Sequence, residues 1–436
     1  MWPALVANKI LNKRLGSSDF ITDYPNYTEP LLGITSNDQS SLRPKAILND
    51  HKDIEKYKVF VSTWNVGGVA PDEGLNIENL LEICSNSFDI YVLGFQEIVP
   101  LKASNVLGSE NSKISKKWNS IIREALNKRA QDQRDNKKQQ LKNVYPNKEG
   151  NPTQHTKTPQ DFQCIISKQM VGILISVWAR RDLSPFIQHP SVSCVGCGIM
   201  GCLGNKGSVS VRFMLHETSF CFVCSHLASG GREGDEKHRN SNVTEIFSRT
   251  SFPKGPMLDL PRRILDHDCV IFLGDLNYRI SLPEETTRLL IEKGDWDSLL
   301  QNEQLTVELM SGSMLSGWHE GAITFAPTYK YFPNSDLYYG CFHHGIKAEK
   351  KRAPAWCDRI IWFGKGLKQT QYARSESKLS DHRPVKALFT AEARVSAALE
   401  NFQSLFLSER FEEIKTHFEF SPTDEYVCRK QLSFRL

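Results

Sequence analysis

The 436-residue sequence has no apolar run of the roughly 18 to 20 residues that a membrane-spanning helix needs. Its start, MWPALVANKILNKRL, lacks the charged segment and apolar core of a secretory signal. These two absences predict a protein of a reducing compartment, the cytoplasm. There the eleven cysteines, an odd number, are expected to be free thiols and not a disulfide framework.

The sequence also lacks a strong excess of charge of either sign. Its 54 Lys and Arg residues exceed its 50 Asp and Glu residues by only four. This mild basicity suits anionic ligands but is too weak for a dedicated nucleic-acid binder, so no nucleic-acid partner is expected. With 40% hydrophobic and 24% charged residues, the composition excludes a mostly disordered chain.

Two Cys-x-x-Cys pairs, Cys194/Cys197 and Cys221/Cys224, have a spacing that occurs in zinc sites. In the strand-like run SFCFVCSHL, however, the two thiols have opposite parity and would point to opposite faces. Buried thiols are therefore expected here in place of zinc ligands.

Short apolar runs bounded by turn signals predict β-strands. The runs are KVFVSTWNV, DIYVLGFQEI, MVGILISVW, GSVSVRFML, SFCFVCSHL, CVIFLGDLN and RIIWF. Between them, GLNIENLLEIC and PEETTRLLIEKGDWDSLLQNEQL repeat apolar residues every three or four positions and predict helices. This alternation predicts one large α/β domain over residues 56–390.

Three segments flank or interrupt this domain. Residues 1–55 form an N-terminal extension whose amphipathic start docks on a protein or on a membrane surface. Residues 104–160, rich in Lys, Gln and Asn, predict a largely disordered insertion, either solvated or touching a membrane. Residues 391–436 predict an amphipathic helical tail, with Val395 and Leu399 on its apolar face.

Polar residues follow several predicted strands, where a scaffold holds a reactive group in place and leaves it accessible. They are Asn65, Glu97, His226, Asp275, Asn277, Asp358, Asp381 and His382. Each alone is more often a turn former or a surface group. Together these carboxylates, amides and imidazoles, without a thiolate cluster, indicate a hard-oxygen site for Mg²⁺ and metal-assisted phosphate hydrolysis.

These positions occur in the order and contexts of the endonuclease/exonuclease/phosphatase superfamily. The strings FAPTYKY, KKRAPAWCDRI, GDLNYRI and GCLGNKGSVSVRF resemble the inositol polyphosphate 5-phosphatases, and SKQMVGILISVW further resembles the plant type I members. The resemblance covers about residues 55 to 390. It implies a four-layer α-β-β-α sandwich (the DNase I-like fold) with two mixed sheets face to face.

The resemblance also implies roles for the residues of the site. Glu97, with Asn65 beside it, would hold Mg²⁺. Asp275 would orient and deprotonate the attacking water, and Asn277 would fix water and phosphate. No covalent phosphoenzyme is expected, since such catalysis is mostly positioning and electrostatics.

The remaining catalytic candidates would stabilise charge on the phosphoryl oxygens. His382, preceded by Asp381, would be held by Asp358 through a carboxylate–imidazole bond, and His226 would act beside it.

A further set resembles residues that bind the neighbouring 4-phosphate, for which ammonium, guanidinium and phenol groups are suited. It comprises Tyr329, Lys330, Lys350 and Arg352, and Asn205 and Lys206 of GNKG line the same pocket. A solvated basic loop is the alternative interpretation of these cations.

The sequence departs from the family in EKHRNSN. Where two arginines commonly precede an asparagine, it has His238, Arg239 and Asn240, and Arg239 and Asn240 remain candidates for substrate binding. Asn242 stands where an acid is usual.

The sequence thus predicts a 5-phosphatase acting on phosphoinositide headgroups, on soluble inositol phosphates or on both, with transient membrane contact. Two alternatives remain: a phosphodiesterase or endonuclease on the same fold, and an inactive phosphoinositide-binding scaffold. The substrate preference and the oligomeric state stay open.

Overall fold

The strands of the computed structural model form two mixed six-stranded sheets. Their bounds are β1 Asp53–Asn65, β2 Ile90–Gln96, β3 Phe162–Met170, β4 Ile173–Arg180, β5 Ile187–Gly196, β6 Gly207–Leu215, β7 Thr218–His226, β8 Cys269–Asp275, β9 His319–Glu320, β10 Asp358–Phe363, β11 Leu367–Arg374 and β12 Val385–Val395. The first sheet has the order β11-β12-β1-β2-β4-β3 and the second β5-β6-β7-β8-β10-β9.

Helices cover the outer faces of these sheets. The α-helices are α1 Ala103–Leu107, α2 Ser112–Lys142, α3 Asp235–Arg249, α4 Glu284–Lys293, α5 Trp296–Leu300 and α6 Gln304–Ser311. Two 3-10 helices span Arg181–Phe186 and Ile264–Asp266.

The structure describes residues 19–24, 53–72, 74–83, 87–108, 112–142, 161–198, 201–254, 260–312, 314–340 and 352–395, and for residues 129–142 it describes the backbone alone.

The two sheets pack closely face to face. A Cβ atom added at Gly94 of β2 would come within 2.8 Å of Leu273 Cδ1 and 2.9 Å of Cys224 Sγ, on β8 and β7. A strand enclosed on both faces reads as a continuous apolar run, as β2 and β8 do. The observed arrangement is the expected α-β-β-α sandwich.

The seven predicted strands are confirmed. Five further strands were not predicted from the sequence: β3, β5, β9, β11 and β12. Strand β11 (LKQTQYAR) is at the edge of its sheet and mostly polar, so it has no apolar run. Strand β5 contains a proline and a register shift. Partly exposed strands like these carry a weak local signal.

One of the two predicted helical segments is wrong. GLNIENLLEIC forms turns over residues 78–83, where Glu82 has a positive φ of 52° that no α-helix accommodates. The other segment is confirmed as α4, α5 and α6, which are separated at Gly294 and near Glu303.

The prediction of a largely disordered insertion over 104–160 is wrong for its first part. Residues Ser112–Lys142 form α2, because Ile114, Trp118, Ile122 and Leu126 recur at helical spacing and contact the first sheet. Trp118 is fully buried, with its ring centroid 4.5 Å from that of Phe95. Residues 143–160 lie outside the described part.

The first and last strands in chain order, β1 and β12, extend slightly beyond the predicted domain bounds of 56–390. Strand β1 begins at Asp53, and Val395, expected on a helical face, ends strand β12. The rest of the predicted C-terminal helix lies outside the described residues. In the N-terminal extension, residues 19–24 pack on the domain, with the Ile21 N–H donating to the Ser167 carbonyl at 2.9 Å.

The cysteines of the described part carry free thiols. Cys221 packs on the outer face of the second sheet and Cys224 between the two sheets, which confirms the parity argument. No described helix is long and apolar enough to cross a membrane.

The burial of Trp118 generates a test of α2 as a folded element. We expect Trp118→Ala to lower the free energy of unfolding by about 3 to 5 kcal/mol, because it leaves a large cavity against the first sheet. Urea unfolding followed by circular dichroism measures this loss. The matched variant Lys116→Ala, at an exposed position of α2, should change stability by less than about 0.5 kcal/mol. Equal stability of the two variants would contradict the packing of α2.

Candidate active site

Three adjacent strands of the second sheet bring three polar side chains into one row. In the ladders of this sheet, Asp275 at the end of β8 lies opposite His226 at the end of β7 and Asp358 at the start of β10. Directly opposed residues project from the same face of a sheet. The row therefore follows from strand register alone.

Asp275 is the most highly connected carboxylate of the site. Its Oδ2 accepts a hydrogen bond from Asn65 Nδ2 at 2.9 Å and lies 3.2 Å from His226 Nε2 and 4.0 Å from His382 Nε2. Its side chain is only 2% exposed. Burial raises the pKa of Asp275, but His226, His382 and Lys206 lower it more, so that the net shift is well below the ordinary value.

His382 is held by a chain of hydrogen bonds, as the sequence predicts. Its Nδ1 lies 2.9 Å from Asp358 Oδ2, which also accepts a hydrogen bond from Thr328 Oγ1 at 2.7 Å. Burial lowers the pKa of His382, but the Asp358 and Asp275 carboxylates raise it to about 9. His382 is thus an imidazolium ion at neutral pH.

His226 differs from His382 in its electrostatic environment. Burial and the Lys206 charge lower the pKa of His226, although Asp275 and Glu97 oppose the shift. Lys206 Nζ contacts His226 Nε2. A single ring nitrogen either accepts from Lys206 or donates to Asp275, so the two contacts compete for Nε2.

Glu97 offers the most accessible carboxylate of the site and fits a Mg²⁺ ligand. Its side chain is 28% exposed, and its Oε1 lies 3.8 Å from His226 Nε2. It follows β2 directly and has a positive φ of 53°, which turns the chain at the sheet edge. A half-exposed carboxylate among further oxygen donors is the kind of ligand that Mg²⁺ selects.

Asn65, which the sequence predicts as a metal ligand beside Glu97, directs its amide nitrogen toward the carboxylates of the site. Its Oδ1 accepts the Gly67 N–H at 2.9 Å, while its Nδ2 faces Asp275 and lies 3.5 Å from Glu97 Oε1. An amide nitrogen does not bind Mg²⁺, so this amide would have to turn over to serve as a ligand. As placed, Asn65 positions the two carboxylates.

Asp275, Asp358 and His382 could also gather around a cation, since one ligand atom from each lies within 4.8 Å of the others. Asp358 is fully buried, however, and the Oδ2 atom that faces His382 also accepts the Thr328 hydroxyl. Asp358 is thus already hydrogen-bonded to His382 and Thr328, whereas Asp275 Oδ2 lies 4.0 Å from His382 Nε2.

Asn277 is fixed by Arg279, which the sequence reasoning missed. Arg279 Nη2 donates to Asn277 Oδ1 at 2.5 Å, and its Cζ lies 4.6 Å from the centroid of the Tyr329 ring. Asn277 Nδ2 donates to the Leu227 carbonyl at 3.2 Å. Arg279 therefore connects the strand-end amide to the predicted 4-phosphate residues. The sequence feature that could have identified Arg279 is its position in the family string GDLNYRI.

Tyr329, Lys330 and Arg352 lie together beside the row, as predicted for 4-phosphate binding. The Tyr329 ring centroid is 4.5 Å from that of His382, and Arg352 Nη1 donates to the Tyr329 hydroxyl at 2.6 Å. Lys330 Nζ lies 3.4 Å from Asp381 Oδ2, so Asp381 anchors a cation of this group. Lys350 lies outside the described residues.

Of the GNKG pair, Lys206 reaches the row through His226, whereas Asn205 packs under a tight turn. A Cβ atom at Gly198 would come within 2.0 Å of Asn205 Oδ1, so only glycine permits this approach.

Arg239 and Asn240, which the sequence predicts as substrate-binding residues, form hydrogen bonds with protein groups in this structure. The Arg239 side chain is fully buried, and its Nη1 donates to the Gly230 carbonyl at 3.1 Å. Asn240 Nδ2 donates to Glu308 Oε1 at 2.6 Å on α6, and its Oδ1 accepts the Tyr278 hydroxyl. Their positions on α3 point them into the protein, which a short sequence motif does not reveal.

These residues support the loop that follows His226. Asn242, which replaces an expected acid, accepts the Ala228 N–H on its Oδ1 at 3.0 Å. The amide oxygen of Asn242 thus accepts a hydrogen bond, as a carboxylate oxygen at this position could. His238 is exposed on the same helix.

Ser380 is a further residue that sequence reasoning did not single out. Its Oγ donates to the Asn65 carbonyl at 2.7 Å and accepts the His382 N–H at 3.1 Å. It thereby joins the end of β1 in the first sheet to the segment that carries His382. The sequence feature that could have identified Ser380 is its position in KLSDHRPV, directly before Asp381 and His382.

Comparisons with known proteins give matches to one family over most of the chain. Residues 62–388 match Endonuclease/Exonuclease/phosphatase family 2. The chain is 63% identical to the type IV inositol polyphosphate 5-phosphatase 9 of Arabidopsis thaliana, covering 95% of this chain and 96% of that protein. It is 46% identical to the type I inositol polyphosphate 5-phosphatase 8 of the same plant, covering 89% and 85%. One of these relatives is named type IV and the other type I, so they do not assign the chain to type I rather than type IV.

Solved structures give the same result at the level of the fold. The inositol polyphosphate 5-phosphatase domain of SPsynaptojanin, in complex with inositol (1,4)-bisphosphate and calcium, superposes with a TM-score of 0.63 at 28% identity, covering 85% of this chain and 95% of that domain. A Cimex nitrophorin shares the fold with a TM-score of 0.54 at 17% identity, covering 78% and 99%. The fold therefore does not by itself determine the function.

The chain from Asp358 to His382 generates a prediction about proton binding. In the metal-free protein the His382 ring should titrate near pH 9, and Asp358→Asn should lower its pKa, because the adjacent carboxylate is lost. Histidine ring signals in NMR spectra measure both values. Because the folded pKa is raised, this proton stabilises the fold fully below about pH 6.5, and the stabilisation is lost as pH rises through about 9.

The control is Asp336→Asn, which removes an exposed carboxylate that pairs with Lys378. It should leave the His382 titration unchanged. An unchanged titration in Asp358→Asn would contradict the proposed hydrogen-bond chain.

Proposed function

Because the chain belongs to the inositol polyphosphate 5-phosphatase family, we propose that it is a Mg²⁺-dependent phosphomonoesterase that removes the 5-phosphate from phosphatidylinositol 4,5-bisphosphate, from phosphatidylinositol 3,4,5-trisphosphate and from soluble inositol 1,4,5-trisphosphate. The observation that carries this proposal is the buried Asp275 carboxylate, held between an amide, two imidazoles and a lysine beside the accessible Glu97. A site that transfers a phosphoryl group to water needs carboxylate, amide and cationic side chains close together, and these residues supply them.

Glu97 would hold the metal ion, with the Asn65 amide beside it. Bound Mg²⁺ supplies Lewis acidity that stabilises the inositol alkoxide as it leaves. The calcium ion in the SPsynaptojanin complex supports a divalent site in this fold.

Asp275 and Asn277 would position the attacking water. Because the cations around it hold the pKa of Asp275 well below its ordinary value, the carboxylate would be ionised and able to accept a hydrogen bond from the water. Arg279 keeps the Asn277 amide in one orientation. Such preorganised groups need no rearrangement at the moment of reaction.

The imidazolium of His382 and the Lys206–His226 pair would stabilise the negative phosphoryl oxygens. The three side chains approach from two sides of Asp275, whose carboxylate compensates their charge before substrate arrives. Electrostatic stabilisation of this kind is commonly the largest contribution to such catalysis.

Tyr329, Lys330 and Arg352 would bind the 4-phosphate next to the 5-phosphate. The inositol (1,4)-bisphosphate in the SPsynaptojanin domain retains a 4-phosphate and lacks a 5-phosphate, as a product would. Arg352 and Lys330 supply the charge, and the Tyr329 hydroxyl adds a directional hydrogen bond.

Contact with a membrane would be transient and peripheral, in the cytoplasm. Val69 in the GGVAPDEG loop is 39% exposed, and Leu337 in the segment after Tyr331 is 50% exposed. Isolated apolar side chains of this kind give weak interfacial binding, which basic residues strengthen at low salt.

Phosphate release from the three substrates tests the function. We expect release of the 5-phosphate with Mg²⁺, none with EDTA, and a loss of at least about 1,000-fold in Asp275→Ala, because the residue that orients water is removed. The exposed Asp336→Asn is the charge-matched control. Absence of release from every inositol substrate, or cleavage of nicked DNA instead, would overturn the proposal, and the ratio of lipid to soluble turnover measures the substrate preference.

A second experiment tests 4-phosphate recognition. We expect Arg352→Ala to raise KM about 10- to 100-fold for inositol 1,4,5-trisphosphate, since a charged hydrogen bond to phosphate is lost. For a substrate with a 5-phosphate but no 4-phosphate, KM should barely change. The exposed Lys378→Ala should affect neither substrate. An equal rise for both substrates in Arg352→Ala would show that Arg352 acts elsewhere.

A further inference from the structure

A cavity of about 660 Å³ lies at the end of the second sheet opposite the candidate active site. It is bounded by the last turn of α3 and by the segment that precedes β8. Strand β8 runs from this end to Asp275, and its seven residues span about 20 Å. The cavity therefore shares no residue with the catalytic row.

The cavity is lined by two exposed arginines that lack an acidic partner. Arg262 and Arg263 both line it, and no described carboxylate forms an ion pair with either guanidinium group. Elsewhere in the described part, arginines such as Arg180 and Arg359 are paired with acids. Two unpaired guanidinium groups at one cavity leave donors available for an anion.

A third arginine contacts a residue that lines the cavity. Arg212 is buried, and its guanidinium group donates to the carbonyls of Pro253 and of Pro261, the second of which lines the cavity. Burial lowers the pKa of Arg212, and the nearby charge of Arg262 lowers it further. The two like charges repel each other, and a bound anion would relieve that repulsion.

A buried hydroxyl group faces the same cavity. Thr250, which directly follows α3 as its C-cap residue, is 1% exposed, and its Oγ1 has no hydrogen-bond partner among the described residues. A buried hydroxyl without a partner is costly, so such groups are usually satisfied by water or by a ligand. Its position next to unpaired cations favours a ligand that accepts hydrogen bonds.

Two negative contributions oppose an anion here and are outweighed. The carboxyl end of α3 carries about half a negative charge. Asp266 also lines the cavity, but its Oδ2 already accepts the backbone N–H groups of Arg262 and Arg263, at 3.2 and 2.8 Å. Three guanidinium groups leave the site positive on balance.

We propose that this cavity is a second anion site, which binds a small soluble phosphate dianion through Arg262, Arg263 and the Thr250 hydroxyl. Phosphate fits the donors because its oxygens accept from two guanidinium groups and a hydroxyl at once. The site is independent of the catalytic reaction.

Inorganic phosphate is the probe, and the methyl groups of Thr250 and Leu260 are the reporters because both residues line the cavity. In the full-length protein with labelled methyl groups, phosphate should shift these NMR signals in a saturable manner, and chloride at equal ionic strength should not. The double variant Arg262→Gln/Arg263→Gln should weaken the binding at least about tenfold, with enzymatic activity retained.

The matched control is Lys365→Gln/Lys368→Gln, which removes the same charge from exposed positions of another surface. It should bind phosphate like the wild-type protein. Shifts that are absent in the wild-type protein, or that are equally weakened in both double variants, would overturn the proposal.

Thr250→Val separates ligand binding from folding. Since the hydroxyl has no partner without ligand, its replacement by a methyl group should leave the Tm unchanged or raised, and should weaken phosphate binding. A lowered Tm or an unchanged affinity would show that the hydroxyl serves the fold and not a ligand.

Discussion

The buried carboxylate of Asp275 is the constraint on which the site depends. An ionised group that is almost fully shielded from water is tolerated only if nearby donors and cations compensate its charge. Asn65, His226, His382 and Lys206 do so, and each belongs to a different segment of the chain. The groups that compensate this one carboxylate come from both sheets and meet at a common edge. They include the cations that would also bind a phosphoryl group.

Strand register gives this arrangement its precision. The row His226–Asp275–Asp358 results from one parallel and one antiparallel ladder, while the other sheet delivers Asn65 opposite Gln96, next to Glu97. A slip of one residue in any of these ladders would turn a catalytic side chain to the opposite face. The close contact of the sheets at Gly94 fixes their separation. Within the first sheet, Ser380 joins the end of β1 to the connection between β11 and β12 that carries His382. Positioning on paired strands is more rigid than positioning on loops.

Much of this could be predicted from the sequence, because enclosed strands such as β2 and β8 are continuous apolar runs that end in functional residues. The pattern of apolar runs predicted the strands that carry the site. Together with the family strings, it also predicted which residues form the row. Local patterns failed where tertiary context decides: polar edge strand β11 has no periodicity of its own, and the charged surface of α2 concealed the stripe that begins at Ile114. The inward direction of the Arg239 side chain likewise depends on the packing of α3, which a short motif does not reveal. The role of Asn65 depends on which way an amide faces, and no residue pattern encodes that orientation.

The central claim is that Glu97 holds the metal while Asp275 stays free to orient water between the two histidines. A crystal structure of the full chain with Mg²⁺ and inositol 1,4-bisphosphate tests it most directly. The account predicts a metal ion on Glu97, the 4-phosphate on Tyr329, Lys330 and Arg352, and an intact His382–Asp358 contact. A metal ion held by Asp275, Asp358 and His382, with Glu97 unbound, would contradict it.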